Sequence, residues 1–197
     1  MAAMTKARMT NGENISGYTI VELLIACAII LLLAGLILSA ASYAQEKGRR
    51  ARAESEIAAL SAACESYRSD NGIYPRDTTG FTDALDPTLF WNPTASGYTR
   101  AGSVLYQQLS GDVDFDPGTV SDDKTNYINP LLKPNSLATP VGGTPYFKDP
   151  WSRSGIHAYG YSTSKANGGN GYNPTFDLWS TAGGTGSNNV PRWIKNW

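Results

Sequence analysis

Polarity changes in steps along this chain. Residues 1–16 are polar and carry Lys6, Arg8 and one acid, Glu13. From 23 to 44 there is no charge, and the only polar groups are hydroxyls and the Cys27 thiol. At about 1.5 Å per residue such a run covers about 30 Å, the thickness of a bilayer core. Beyond it Ala53, Ile57, Leu60, Cys64 and Tyr67 recur at helical spacing, one apolar stripe with Glu54, Glu56, Glu65 and Arg68 placed off it. No proline interrupts this stretch, so the pattern predicts one long helix, apolar all round at first and amphipathic later. Its second half is expected to lay the stripe on a sheet. Gly35 and Gly48 permit bending. Asn71-Gly72 supplies a left-handed cap, and Pro75 blocks continuation.

After the helix the pattern weakens. Asp, Thr, Gly, Asn and Pro punctuate residues 76–145, which read as an insert with some structure of its own. Val104-Leu105-Tyr106-Gln107-Gln108-Leu109 suggests a short helix, and residues 127–132 a strand or a short turn of helix. Order returns in three aromatic-rich runs, Tyr146 to Trp151, His157 to Ser162 and Phe176 to Ser180, the last followed by a Gly-rich turn at 182–186. Such runs between turn clusters predict strands of an antiparallel sheet. The fold class is therefore α+β: a long N-terminal helix, membrane-spanning in its first half, packed through its second on a small C-terminal antiparallel sheet with a long irregular insert.

Composition adds limits. The 197 residues fit one globular domain plus a membrane element. A formal net charge of -1 gives no reason to expect a nucleic acid partner. Cys27 and Cys64 on one helix would stand about 55 Å apart, far beyond the roughly 7 Å a disulfide allows. Both read as small apolar packers, with a bridge between subunits as the minor option for Cys64. Nothing points to catalysis. His157 is the only histidine, and neither a nucleophile elbow nor a phosphate loop is present.

Glu22 stands near the head of the apolar run. A carboxylate in such a place costs roughly 2.5–3.5 kcal/mol even on a lenient scale. Either it lies at the lipid interface and snorkels to water, or another subunit supplies a partner charge. Gly17-Tyr18-Thr19-Ile20-Val21-Glu22-Leu23-Leu24 resembles the type IV prepilin signature. The later segments Asn71-Gly72 and Tyr74-Pro75, Asp149-Pro150-Trp151, Phe176 to Ser180 and Trp193 to Trp197 resemble the major pseudopilins of type II secretion. The resemblance implies cleavage between Gly17 and Tyr18 by a prepilin peptidase, methylation of the new N-terminus, and pairing of Glu22 with the terminal amine of a neighbouring subunit. Tyr18 stands where the family usually has Phe. The implied domains are a leader at 1–17, a transmembrane and assembly helix at 18–45, an amphipathic helix at 46–72, a variable insert at 73–145 and the sheet at 146–197. The implied partners are the peptidase, like and related subunits, an inner-membrane assembly platform and lipid. The implied location is the bacterial inner membrane, crossed once with the C-terminal domain in the periplasm, and then a fibre. The positive-inside count opposes this orientation, since Lys47, Arg49, Arg50 and Arg52 outnumber the basic residues of the leader. Interfacial anchoring to headgroups, or contact with acids of a neighbouring subunit, would account for them.

The resemblance also implies calcium in the loop after Phe176-Asp177-Leu178. There the sequence departs, because no Asp or Glu follows Asp177. A second acidic run, Asp112-Val113-Asp114-Phe115-Asp116-Pro117, with Asp123 further on, has the acid spacing of a calcium loop. Pro117 sits where an EF-hand needs glycine, so a looser calcium turn at Asp112, Asp114, Asp116 and Asp123 stands against a solvated acidic loop. The alternative to a fibre subunit is a binding module on an unprocessed anchor, its exposed Trp and Tyr residues recognising a glycan or peptide.

Overall fold

In the computed structural model, which describes residues 17–112, 125–128, 137–138, 144–152 and 157–197, helix α1 spans Ile20–Asn71. The chain divides into two compact units, Met1–Ala44 and Gln45–Trp197, and α1 contributes to both.

In the first unit every described residue is exposed, including Leu31 at 74% and Leu38 at 72%. This half is long and apolar enough to cross a membrane by length and composition. Its hydroxyls turn back on their own helix: Ser39 Oγ donates to the Leu36 carbonyl and Ser42 Oγ to the Ser39 carbonyl, each at 2.9 Å. Both groups are thus satisfied without water, as a lipid environment requires.

In the second unit the expected stripe of α1 is buried at Ala53, Ile57, Leu60 and Cys64, with Ala63 buried beside it and Tyr67 partly buried. Both cysteines are free thiols, Cys64 buried and Cys27 exposed. The helix stops as its sequence demands. Gly72 takes φ 77° and donates its N–H to the Arg68 carbonyl at 2.7 Å. The Tyr161 hydroxyl then holds the exit by donating to the Pro75 carbonyl at 2.8 Å.

The sheet is three-stranded and antiparallel, in the order β3 (Gly160–Ser162), β4 (Asp177–Ser180), β5 (Ile194–Lys195). A second antiparallel pair joins β1 (Leu137–Ala138) to β2 (Tyr146–Phe147). The expected strands are present but short. Past β2, among the described residues a single bridge, Lys148 to Ala158, continues the pairing before Pro150 enters a turn.

Both faces of β4 are covered, because its side chains alternate. Leu178 joins the α1 stripe, Tyr161, Phe176 and Ile194 in one core cluster; Trp179 joins Leu85, Tyr98, Tyr146 and Trp193 in another. The Trp179 indole lies across Gly160, its register partner, where a Cβ would come within 2.1 Å of the ring. Only glycine fits there.

The insert holds more helix than its sequence suggests. After the short α2 (Phe81–Ala84), α3 covers Ser96–Ser110 rather than the six residues from 104 to 109. Its buried positions Tyr98, Ala101, Gly102, Leu105, Tyr106 and Leu109 follow a helical period. Gly102 obscures that period; it packs against Tyr146 and Ala158, where an added Cβ would meet theirs at 3.4 and 3.8 Å, ordinary contact distances. Of the 127–132 segment, Tyr127 and Ile128 form a bend and the rest lies outside the described residues.

One expectation about α1 is overturned. Glu56 is not off the stripe but buried, accepting hydrogen bonds from the Tyr159 hydroxyl at 2.7 Å and Arg52 Nε at 2.8 Å. It lies one turn from Ala53 and Leu60, on the flank that Tyr159 covers, so the buried face is wider than the apolar residues mark out.

Candidate assembly site

Gly17, Tyr18 and Thr19 precede the helix, all exposed, Tyr18 at 82%. The α1 N-terminus then closes on itself. The Thr19 N–H donates to Glu22 Oε2 at 2.8 Å, and the Thr19 hydroxyl reaches the same oxygen at 3.0 Å. The Glu22 N–H in turn faces Thr19 Oγ1 at 3.2 Å, and Leu23 N–H donates to the Thr19 carbonyl at 3.2 Å. This is a capping box, with threonine at the cap and glutamate three residues on. The signal, Thr-x-x-Glu ahead of an apolar run, is in the sequence; sequence reasoning missed it by weighing only snorkelling to the lipid interface and a partner charge from another subunit. The box fixes the carboxylate at the positive end of the helix, where negative charge is favoured. A carboxylate has about four acceptor sites. Two donors on one oxygen leave capacity for another.

The calcium candidates fare differently. Asp112 is buried and accepts a hydrogen bond from the Tyr106 hydroxyl at 2.6 Å, while its N–H donates to Ser110 Oγ at 3.1 Å. It therefore ties down the end of α3 just past Gly111. Asp114, Asp116 and Asp123 lie outside the described residues. Among the described residues no three His, Cys, Asp or Glu side chains come together in a metal-binding group.

The loop between β4 and β5 does not suit calcium either. Its side-chain oxygens are the neutral ones of Thr181, Thr185, Ser187, Asn188 and Asn189. Asp177, the last carboxylate before it, is buried and accepts the N–H groups of Tyr172 at 2.9 Å and Asn173 at 2.7 Å. A hard dication prefers several oxygens with carboxylates among them. These residues do not fit the ion that the resemblance implies.

The basic run beyond the apolar segment is partly engaged within the second unit. Arg50 Nη2 donates to the Arg192 carbonyl at 3.0 Å, and Arg52 pairs with Glu56. Nor do the aromatics among the described residues form a broad binding face. Trp179, Tyr98, Tyr106, Tyr146, Tyr159 and Tyr161 are all fully buried. At the surface Tyr172 stacks on Trp197 at 4.6 Å between centroids, with Lys195 Nζ 5.0 Å from the Trp197 ring. Burial holds the His157 imidazole below its ordinary pKa. The His157 backbone N–H donates to Ser152 Oγ at 3.2 Å and its carbonyl accepts from Asp149 N–H at 3.0 Å.

A long helix, apolar in its first half and laid on a small antiparallel sheet through its second, is the pilin-like α+β fold. The known proteins similar to this chain are consistent with it. The type II secretion system core protein G of Escherichia coli K12 is 29% identical over 133 residues, which cover 56% of this chain and 90% of that protein. That of Aeromonas hydrophila is 36% identical over 89 residues, and that of Klebsiella pneumoniae 30% over 88; each match covers 45% of this chain and 62% of the relative. The chain thus spans about three fifths of the length of these last two. No protein-family model matches, and no solved structure matches significantly. Fold and relatives together make this a pseudopilin-like chain.

Proposed function

We propose that the chain is a structural subunit of a type II secretion pseudopilus or a related type IV pilus-like fibre, without catalytic activity of its own. The observation that carries this reading is the exposed apolar first half of α1, headed by Thr19 and Glu22. In lipid such a surface is at ease. Outside lipid it must be covered, and like helices packed side by side would cover it. At about 25 cal/mol per Å2, a few hundred Å2 of apolar contact contributes on the order of 10 kcal/mol.

A prepilin peptidase removes residues 1–17 and methylates the Tyr18 amine. The mature subunit waits in the bacterial inner membrane, crossing it once with residues 46–197 in the periplasm. An assembly platform then passes it into the fibre. Glu22, held ready by Thr19, accepts the N-terminal amine of the adjacent subunit and so sets the stagger. Wrong registers leave that acid unpaired in a dry bundle and are penalised.

Glu22→Ala tests the role of the acid. Membrane insertion is expected to persist while fibres in the sheared surface fraction fall at least about tenfold, the effect of one lost charge pair of about 1.4 kcal/mol or more. Fibres at wild-type level from this variant would refute the pairing.

A further inference from the structure

The loop between β4 and β5 lacks the ligands for calcium, yet the protein ties it down from both ends. At its start, Gly184 N–H donates to the Thr181 carbonyl at 3.0 Å, closing a turn in which Ala182 has φ 50° and Gly183 φ 77°. Two positive φ values in succession mark a primed turn, a conformation alanine adopts only under constraint. The constraint is visible. Ala182 N–H donates to Ser180 Oγ at 3.1 Å, and that hydroxyl donates to the buried Asp149 at 2.5 Å. Asp149 also accepts the N–H of Trp151 at 2.9 Å. The Trp151 ring lies against Gly183 so closely that a Cβ there would stand 2.9 Å from the indole.

From this wedge a line of contacts runs to α1. Trp151 Nε1 donates to Glu46 Oε2 at 3.0 Å. Glu46 Oε1 is 3.8 Å from Arg50 Nε, one helical turn along. Arg50 Nη2 donates to the carbonyl of Arg192 at 3.0 Å, where the loop's terminal 3-10 turn, Ser187–Arg192, ends. Both ends of the loop are therefore joined through two α1 residues, and a backbone carbonyl at its far end is met by a guanidinium.

We propose that Glu46, Arg50 and Trp151 form a latch that fixes residues 181–192 in place of a metal ion, so that the order of this loop does not depend on calcium. The comparison with calcium rests on the pseudopilin reading. The latch itself rests only on the distances given. Arg50 is a positioning residue: it acts by holding the Arg192 carbonyl.

The test is hydrogen exchange, read by mass spectrometry on the full chain in detergent, with EDTA or with millimolar calcium chloride. Peptides covering 181–193 are expected to exchange equally in both. Arg50→Gln is expected to speed their exchange about three- to tenfold in both buffers, the loss of one hydrogen bond to a charged donor, while Asp177–Ser180 stay protected. Should that variant fail to fold, Trp151→Phe puts a smaller phenyl ring at Gly183 and removes the donor to Glu46, and faster exchange is again expected. Slower exchange of the wild-type loop in calcium would overturn the proposal, as would an unchanged loop in a folded Arg50→Gln or Trp151→Phe protein. A calcium effect confined to peptides around Asp114, Asp116 and Asp123 would support it, since the ion would then bind elsewhere and leave the loop alone. Failure of the fibre reading would appear in processing and assembly, not in this exchange.

Discussion

Burial of Asp149 makes the stability of the second unit depend on pH. Desolvation pushes its carboxyl up to about 6; the hydrogen bonds from Ser180 and Trp151 pull it down, and the charge of Glu56 adds repulsion. The folded-state value is thus raised above that of the unfolded chain. The stabilisation is complete below about pH 4 and is lost as pH rises through 6, about 2–3 kcal/mol in all. Thermal unfolding of the full chain in detergent, followed between pH 4 and 7, is expected to show the midpoint falling as pH rises. Asp149→Asn should flatten that slope, and an equal slope in the variant would contradict the assignment. At Gly160 the argument is steric. Gly160→Ala drives a methyl into the Trp179 ring, with an expected loss of about 1–3 kcal/mol in a denaturant titration.

The two halves of α1 are one helix under different rules. Leu60 is fully buried in the domain core, whereas Leu31 is 74% exposed. Leu60→Ala is expected to cost about 2–5 kcal/mol of domain stability, read by near-ultraviolet circular dichroism. Leu31→Ala should leave that midpoint unchanged and act only where helices assemble; a matching loss from both would contradict the division. The element-level outline was legible in the sequence because the relevant signals are periodic: the Ala53, Ile57, Leu60 and Cys64 stripe, the Asn71-Gly72 stop, and the aromatic runs that became β2, β3 and β4. What escaped was whatever depended on contacts distant along the chain. Glu56 reads as a solvated acid until Tyr159, 103 positions away, is seen to cover it. Helix α3 reads as a six-residue fragment because Gly97, Thr99, Gly102 and Ser103 dilute its period with poor helix formers. The latch on residues 181–192 joins α1 to segments more than a hundred residues on, and no spacing in the sequence announces it. The capping box at Thr19 and Glu22 was local and could have been found.

At the scale of the whole molecule, one helix would serve two solvents in turn under the proposed function. On that reading its apolar half is laid first in lipid and later among like helices, with Glu22 as the group that would distinguish a correctly seated neighbour from any other. That role needs a free amine at Tyr18, and therefore needs the chain to be cut after Gly17. Mass spectrometry of the N-terminus, on chain recovered from membranes and from sheared surface fractions, reads this directly. A polypeptide beginning at Tyr18 with a methylated amine is expected in both fractions; a chain in both that still carries residues 1–17 would contradict the proposed function.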